Sequence, residues 1–263
     1  MRDVRRRAGD AVQPRIRWRL GVLVGAALAV LVGFQIPASA AVTDPYPTGA
    51  KGFDISYPNC SSTLPAGDSF AIVGVGGGRP FTASSCASSE WSQAQSATNN
   101  AIPSLYFNTG YSGAYGREIE GACKSAISSA GVFSGLSKHV LSQAEQAWEI
   151  GCSEVEYAST VVPKTPALWW ADIETGNSWS ANPSLNQYTI DGISYEMQQL
   201  GGGGIYSSPA MWASITGSAG WEPIPAVAAN WVSGASCSTT FGGMANWLAQ
   251  GSPVSGVDSD TAC

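Results

Sequence analysis

The sequence predicts an α/β fold: a single-domain (β/α)8 TIM-like barrel preceded by a secretory signal. Three observations predict it. Short apolar runs alternate with longer, polar, helix-compatible stretches about eight times. The chain beyond its leader is the size of one such barrel. Carboxylates stand at the ends of several apolar runs, where barrel enzymes place their chemistry. A doubly wound open sheet is the structural alternative.

The leader comes first. "MRDVRRRAGDAVQPRIRWRL" is basic, "GVLVGAALAVLVGF" is apolar, and "IPASA" closes on small residues with an Ala38-Ser39-Ala40 cleavage site. An uncleaved anchor is the alternative, since the apolar core extends to Ile36. The early "RRR" (5–7) leaves both the Sec and twin-arginine routes open. Residues 1–40 are therefore read as signal peptide, 41–50 as a short N-terminal segment and 51–263 as the barrel domain. Cleavage leaves 223 of the 263 residues, with six basic and seventeen acidic side chains and a formal charge of −11. Nucleic acid is excluded as a partner, because phosphate binding needs clustered Lys and Arg. A neutral polymer or uncharged sugar fits better. With no repeat, coiled coil or internal membrane span, the expectation is a secreted, extracellular monomer with no membrane contact after cleavage.

The strand candidates follow in order: "GFDIS" (52–56), "FAIVGV" (70–75), "SLYFNT" (104–109), "ALWWADI" (167–173), "GGIYSS" (203–208), "AVAANW" (226–231), "ANWLAQ" (245–250) and "GVDSD" (256–260). The clearest helical patterns cover 86–100, 137–160 and 182–200. In the last, Asn182 serves as N-cap, Pro183 takes the first helical position, and the glycines from Gly201 to Gly204 stop the helix. Residues 110–116 and 233–243 are short Ser/Gly-rich loops.

The segment "ALWWADIETGNSW" (167–179) carries the argument about chemistry. Only 12% of the chain is charged, yet Asp172 and Glu174 end an apolar strand here. Alternate strand residues share a face. Trp170, Asp172 and Glu174 therefore point to the barrel axis, and Trp169, Ala171 and Ile173 pack under the helices. Strand rise places the two acids roughly 6 to 7 Å apart, near the spacing of an acid and a second carboxylate in retaining glycosidases. Shielded by tryptophans, the two resist ionising together, so one keeps its proton towards neutrality, as protonating a glycosidic oxygen requires. The bland alternative is that both accept loop hydrogen bonds or cap the next helix. Asp54 ends an early strand, Asp258 and Asp260 end the last, and first and last strands are neighbours in a barrel, so these acids converge on one mouth. Tyr57, Tyr106, Tyr206, Trp231 and Trp247 lie near strand ends, placed to stack on sugar rings or simply to pack. "GVGGGRP" is a tight turn that brings Arg79 near the mouth.

Six cysteines suit an oxidising compartment. Their spacing suggests sequential bridges, Cys60–Cys86, Cys123–Cys152 and Cys237–Cys263, though sequence alone does not choose among the possible pairings. Each would close a loop of about 25 to 30 residues and contribute about 3 kcal/mol. The single histidine, His139, sits in a helical stretch and cannot supply a zinc site. A G-x-S-x-G elbow and a nucleotide fingerprint are absent. No metal or cofactor is expected.

These residues resemble a known family. "GFDISYPNC", "FAIVGVGGGRPF", "ALWWADIETGNSW", "GIYSS" and "NWLAQGSPVSGVDSD" occur in the order found in glycoside hydrolase family 25 lysozyme-like barrels. The resemblance spans essentially residues 50–263 and is greatest to secreted actinobacterial proteins carrying a glycoside-hydrolase-like domain of unknown function. It implies a general acid at Glu174 and a positioning or charge-stabilising role for Asp172. Asp54 and Asp258 match further site acids, with Asp260 a second possibility for the last, and Tyr206 matches the tyrosine after strand five. Two departures bear on substrate. An acidic Thr-Glu-Gly segment is replaced by "GVGGGRP", and a Tyr-His-Phe strand end by "LYFNTG". Two functions follow: a glycosidase acting on cell-wall glycan (peptidoglycan), or a non-catalytic carbohydrate-binding cell-wall protein on the same barrel.

Overall fold

A computed structural model describes residues 42–130, 133, 136–234 and 236–263. The leader and its cleavage site lie outside the described residues. Eight strands close into a barrel in sequence order: β1 Lys51–Ile55, β2 Phe70–Gly74, β3 Ser104–Asn108, β4 Trp169–Asp172, β5 Gly203–Ser207, β6 Asn230–Ser233, β7 Asn246–Gln250 and β8 Asp258–Ala262. Neighbours from β1 to β7 pair in parallel, whereas β8 is antiparallel to both β7 and β1.

Among the described residues, five α-helices accompany them: α1 Ala87–Ala97, α2 Gly121–Ala130, α3 Lys138–Val161, α4 Pro183–Gln199 and α5 Pro209–Thr216. Strand–helix alternation thus holds from β2 to β6 and then stops. Residues 251–257 are too few for a crossover helix, so β8 can only turn back antiparallel. The reversal matters for chemistry. Asp258 opens β8 instead of ending it, and the reversed strand brings that first residue to the mouth. The sixth strand also begins later than expected, at Asn230 instead of Ala226.

Period-two patterning builds two cores. Outward residues, among them Phe53, Val73, Phe107, Trp169, Ala171, Ile173, Ile205 and Val232, pack beneath the helices. Inward residues, among them Phe70, Ile72, Trp170, Tyr206, Trp231 and Leu248, fill the barrel. Burying a large apolar side chain of this kind stabilises by about 1.5–3 kcal/mol. The floor is sealed by Tyr46, whose hydroxyl accepts from Trp170 Nε1 at 2.9 Å.

Helix α4 starts and stops as its sequence dictates. The Asn182 side chain accepts from Ser184 N at 3.1 Å, Pro183 opens the helix, and Gly201 and Gly202 follow with φ of 100° and 110°. Against α3 it packs backbone to backbone. A Cβ on Gly192 would lie 2.0 Å from Trp148 O, and one on Gly151 would lie 1.9 Å from Thr189 O. The cysteines pair as Cys60–Cys86, Cys123–Cys152 and Cys237–Cys263. Among the described residues no helix is long and apolar enough to cross a membrane.

Candidate active site

At the C-terminal end of the parallel strands, a cavity of about 240 Å³ is lined by Asp54, Tyr106, Asp172, Glu174, Tyr206, Trp231, Gln250 and Asp258. Register explains the convergence. Asn108, Asp172 and Tyr206 are cross-strand partners on β3, β4 and β5, and Asp54 pairs with Asp258 across β1 and β8. Four acids, two tyrosines and a tryptophan named from sequence therefore share one mouth.

Four others do not line it, among them Trp247, which packs part-buried against the barrel-filling core. Tyr57 is 48% exposed on a short 3-10 turn after β1. Arg79 lines a neighbouring cavity. Asp260, two residues below Asp258 on β8, is buried inside the barrel and accepts from Trp231 Nε1 at 2.8 Å. Sequence reasoning passed over Gln250 and Asn108. Both follow an inward residue by two positions, Leu248 and Tyr106, which is the alternation signal that would have found them.

The acids form two hydrogen-bonded pairs. Asp172 meets Glu174, and Asp54 meets Asp260. Asp172 and Glu174 are thus within hydrogen-bonding reach of one another at the mouth. Two carboxylates in contact need a proton between them. Asp172 Oδ1 and Asp260 Oδ2 are fully buried and face no donor among the described residues. A proton on each, directed to Glu174 and Asp54, satisfies both oxygens.

Burial is the largest cause of the shifts. It holds Asp172 well above the usual carboxylate range, the nearby Glu174 charge adds to that, and donation from Asn108 Nδ2 to Oδ2 at 2.6 Å opposes it. Glu174 is also raised by burial, but the hydrogen bond from Asp172 pulls it back. Asp54 is pushed up to about 7 by burial, against a donor, Gln250 Nε2, at 2.9 Å from its Oδ2. Gln250 Oε1 in turn accepts from the Tyr206 hydroxyl at 2.6 Å. Burial thus favours the protonated form in both pairs, and Glu174, the one member that is not fully buried, is the most accessible of the four.

The local backbone fixes this arrangement. Thr109 Oγ1 donates to Asp172 O at 2.6 Å, Asn177 Nδ2 donates to the same oxygen at 3.1 Å, and Trp179 Nε1 donates to Glu174 O at 2.8 Å. Under the acids, Trp231 packs edge-on against Tyr206 at 4.6 Å and Trp170 at 5.9 Å, making an aromatic floor.

The barrel matches the bacterial lysozyme of Streptomyces coelicolor with a TM-score of 0.54, at 18% identity over 82% of this chain and 93% of that one. The fold is lysozyme-like. That agrees with the glycoside hydrolase family 25 likeness expected from the sequence. The modular autolysin LytC of Streptococcus pneumoniae, solved with a synthetic peptidoglycan ligand, aligns more weakly. Its TM-score is 0.46 at 11% identity, over 81% of this chain and 46% of that one. No family model and no curated protein matches the chain. Within the lysozyme-like barrel, the reversed β8 is what places Asp258 opposite Asp54.

Proposed function

We propose that the protein is a secreted, monomeric glycosidase that cleaves cell-wall glycan beside an N-acetylated amino sugar, its leader removed near Ala40. The observation that carries this is the proton-sharing pair Asp172–Glu174 at the mouth of a lysozyme-like barrel. Acids in hydrogen-bond contact leave no room for a sugar between them. They therefore do not act as the separated acid and nucleophile of a standard retaining pair, about 5–5.5 Å apart. The substrate's own acetamido oxygen fills the second role.

When the shared proton passes from Asp172 to Glu174, the pair becomes anionic at Asp172. Glu174 gives that proton to the glycosidic oxygen as the C1–O bond breaks. The acetamido oxygen closes on C1, and Asp172 stabilises the positive oxazolinium ion, its charge supported by Asn108. Water then adds to C1 as the bond from C1 to the acetamido oxygen breaks, and surrenders a proton to Glu174, restoring the pair. Asp54, oriented by Gln250 and Asp260, and Asp258 tune the field around Glu174.

The replacement of an acidic segment after β2 by "GVGGGRP" favours a rival, a carbohydrate-binding protein without turnover. Reducing ends released from purified peptidoglycan decide between them. Release that Glu174→Gln abolishes supports the glycosidase. Capture of the protein by the glycan without release, in wild type and variant alike, overturns it in favour of binding.

A further inference from the structure

Residues 42–263 contain two arginines, Arg79 and Arg117. One lies in the loop leaving β2 and the other in the segment leaving β3, yet both line one cavity of about 200 Å³ with Pro80, Phe81, Tyr115 and Glu118. None of the four lysines in that span lines it. The domain carries a formal charge of −11, so a cavity lined by both of its arginines is a local reversal of sign. Arginine presents a planar fork of donors that fits carboxylate oxygens and keeps its charge at every physiological pH.

The walls are fixed. Phe81 is held at φ 55°, an outlying conformation for a bulky side chain. Thr82 holds the loop, its Oγ1 donating to Arg79 O at 2.6 Å and accepting from Gly77 N at 3.1 Å. The Phe81 ring packs 5.5 Å from Tyr115 and 5.9 Å from Tyr157. The one carboxylate present, Glu118, pairs with Arg117 at 3.0 Å, but both side chains are largely open to water, at 80% and 41% exposure. Such a pair is worth about 0–1 kcal/mol, so an incoming carboxylate can displace it.

The cavity's loop and the segment that leaves Glu174 meet at a common neighbour. A Cβ on Gly110 would lie 3.4 Å from Pro80 Cγ and 2.5 Å from Ser178 O, so Gly110 sits between the two. Tyr111 N ties the β3 loop to that same Ser178 oxygen at 2.6 Å.

We infer that Arg79 and Arg117 form an anion subsite for a carboxylate carried by the glycan, next to the neutral ring held over Asp172 and Glu174. The inference rests on the glycan reading and deepens it. About 200 Å³ is less than the roughly 300–1,000 Å³ of a pocket for a whole ligand, which suits a single acidic substituent. It also reconciles the charge pattern. A densely anionic polymer is repelled by the domain, whereas a glycan with isolated carboxylates meets one positive cavity.

Solution NMR of the ¹⁵N-labelled protein tests this, with N-acetylmuramic acid as probe and its methyl ester as the neutral control. The Nε–Hε resonances of Arg79 and Arg117 are identified by their loss in R79Q and R117Q. The expected result is that the acid shifts both resonances saturably, the ester shifts neither, and either variant weakens binding roughly tenfold. Arginine signals that stay still, or that follow the ester equally, overturn the subsite. An equal response to inorganic phosphate at matched ionic strength overturns its carboxylate character. Arginines that respond as expected in a protein that releases no reducing ends support the subsite while removing the glycosidase.

Discussion

Asn108 donates from Nδ2 to Asp172 Oδ2 at 2.6 Å, across the β3–β4 pair. This bond favours the ionised form of Asp172, the form needed when positive charge grows at the sugar. Asn108→Leu keeps the size and removes the donor, so the apparent pKa values of the Asp172–Glu174 pair rise. A charge-assisted hydrogen bond of about 1.5–3 kcal/mol corresponds to roughly one to two pH units. Both limbs of the pH profile for reducing-end release should therefore move to higher pH. A fall in rate with unmoved limbs would remove Asn108 from the electrostatics of the pair.

Asp172→Asn tests the other half of the pair. An amide at this position still donates to Glu174, but it cannot hold a proton in reserve or carry charge. Its donation lowers the Glu174 pKa, so the acid is ionised at neutral pH and turnover should fall about 10²–10⁴-fold. The residual activity should peak at lower pH than in the parent, since protonating Glu174 now needs more acid. A peak that shifts upward would contradict the hydrogen bond from residue 172 to Glu174.

How much of this was legible in the sequence differs from element to element. The β4 segment was readable because its two faces alternate without interruption, Trp169 and Ala171 outward, Trp170 and Asp172 inward. The α4 boundaries were readable because Asn182, Pro183 and Gly201 each act through local backbone chemistry. The reversal of β8 was hidden by reading alternation as a count and not as a length, although residues 251–257 leave no space for a helix. The hydrogen bond between Asp172 and Glu174 was not legible at all. Strand rise fixes the spacing of backbones, whereas the reach of one side chain to another depends on the closed barrel.

The α3–α4 contact was equally invisible, since a lone glycine in a helix reads as a weakness. Gly192→Ala puts a methyl group 2.0 Å from Trp148 O, an atom of helix backbone that cannot step aside. Intrinsic helix propensity favours alanine by about 1 kcal/mol. Overpacking against backbone outweighs that, with a net loss of about 2 kcal/mol or more. Chemical denaturation of the variant reads the sign directly: a gain in stability would mean that the helices are free to separate.

Glu90 supplies a prediction independent of catalysis. It lies in the first turn of α1, 1% exposed, and neither carboxylate oxygen has a hydrogen-bond partner among the described residues. A charge near a helix N-terminus gains about 0.3–1 kcal/mol, but burial wins and pushes Glu90 up to about 7. In the unfolded chain it titrates near 4.3. Below that value both states are protonated and burial exacts no ionisation penalty. Between about 4.3 and 7 the native state binds more protons than the unfolded state, so this residue's contribution to stability falls as pH rises. Glu90→Met removes the buried acid at similar volume. It should raise stability by about 1–3 kcal/mol at pH 8, which is about 2–12 °C in Tm for a domain of this size. The gain should shrink steadily towards pH 4. Because every other buried acid is common to both proteins, their contributions cancel in the difference. Thermal unfolding of the pair across that range is the measurement, and a difference that does not vary with pH would mean that Glu90 titrates alike folded and unfolded.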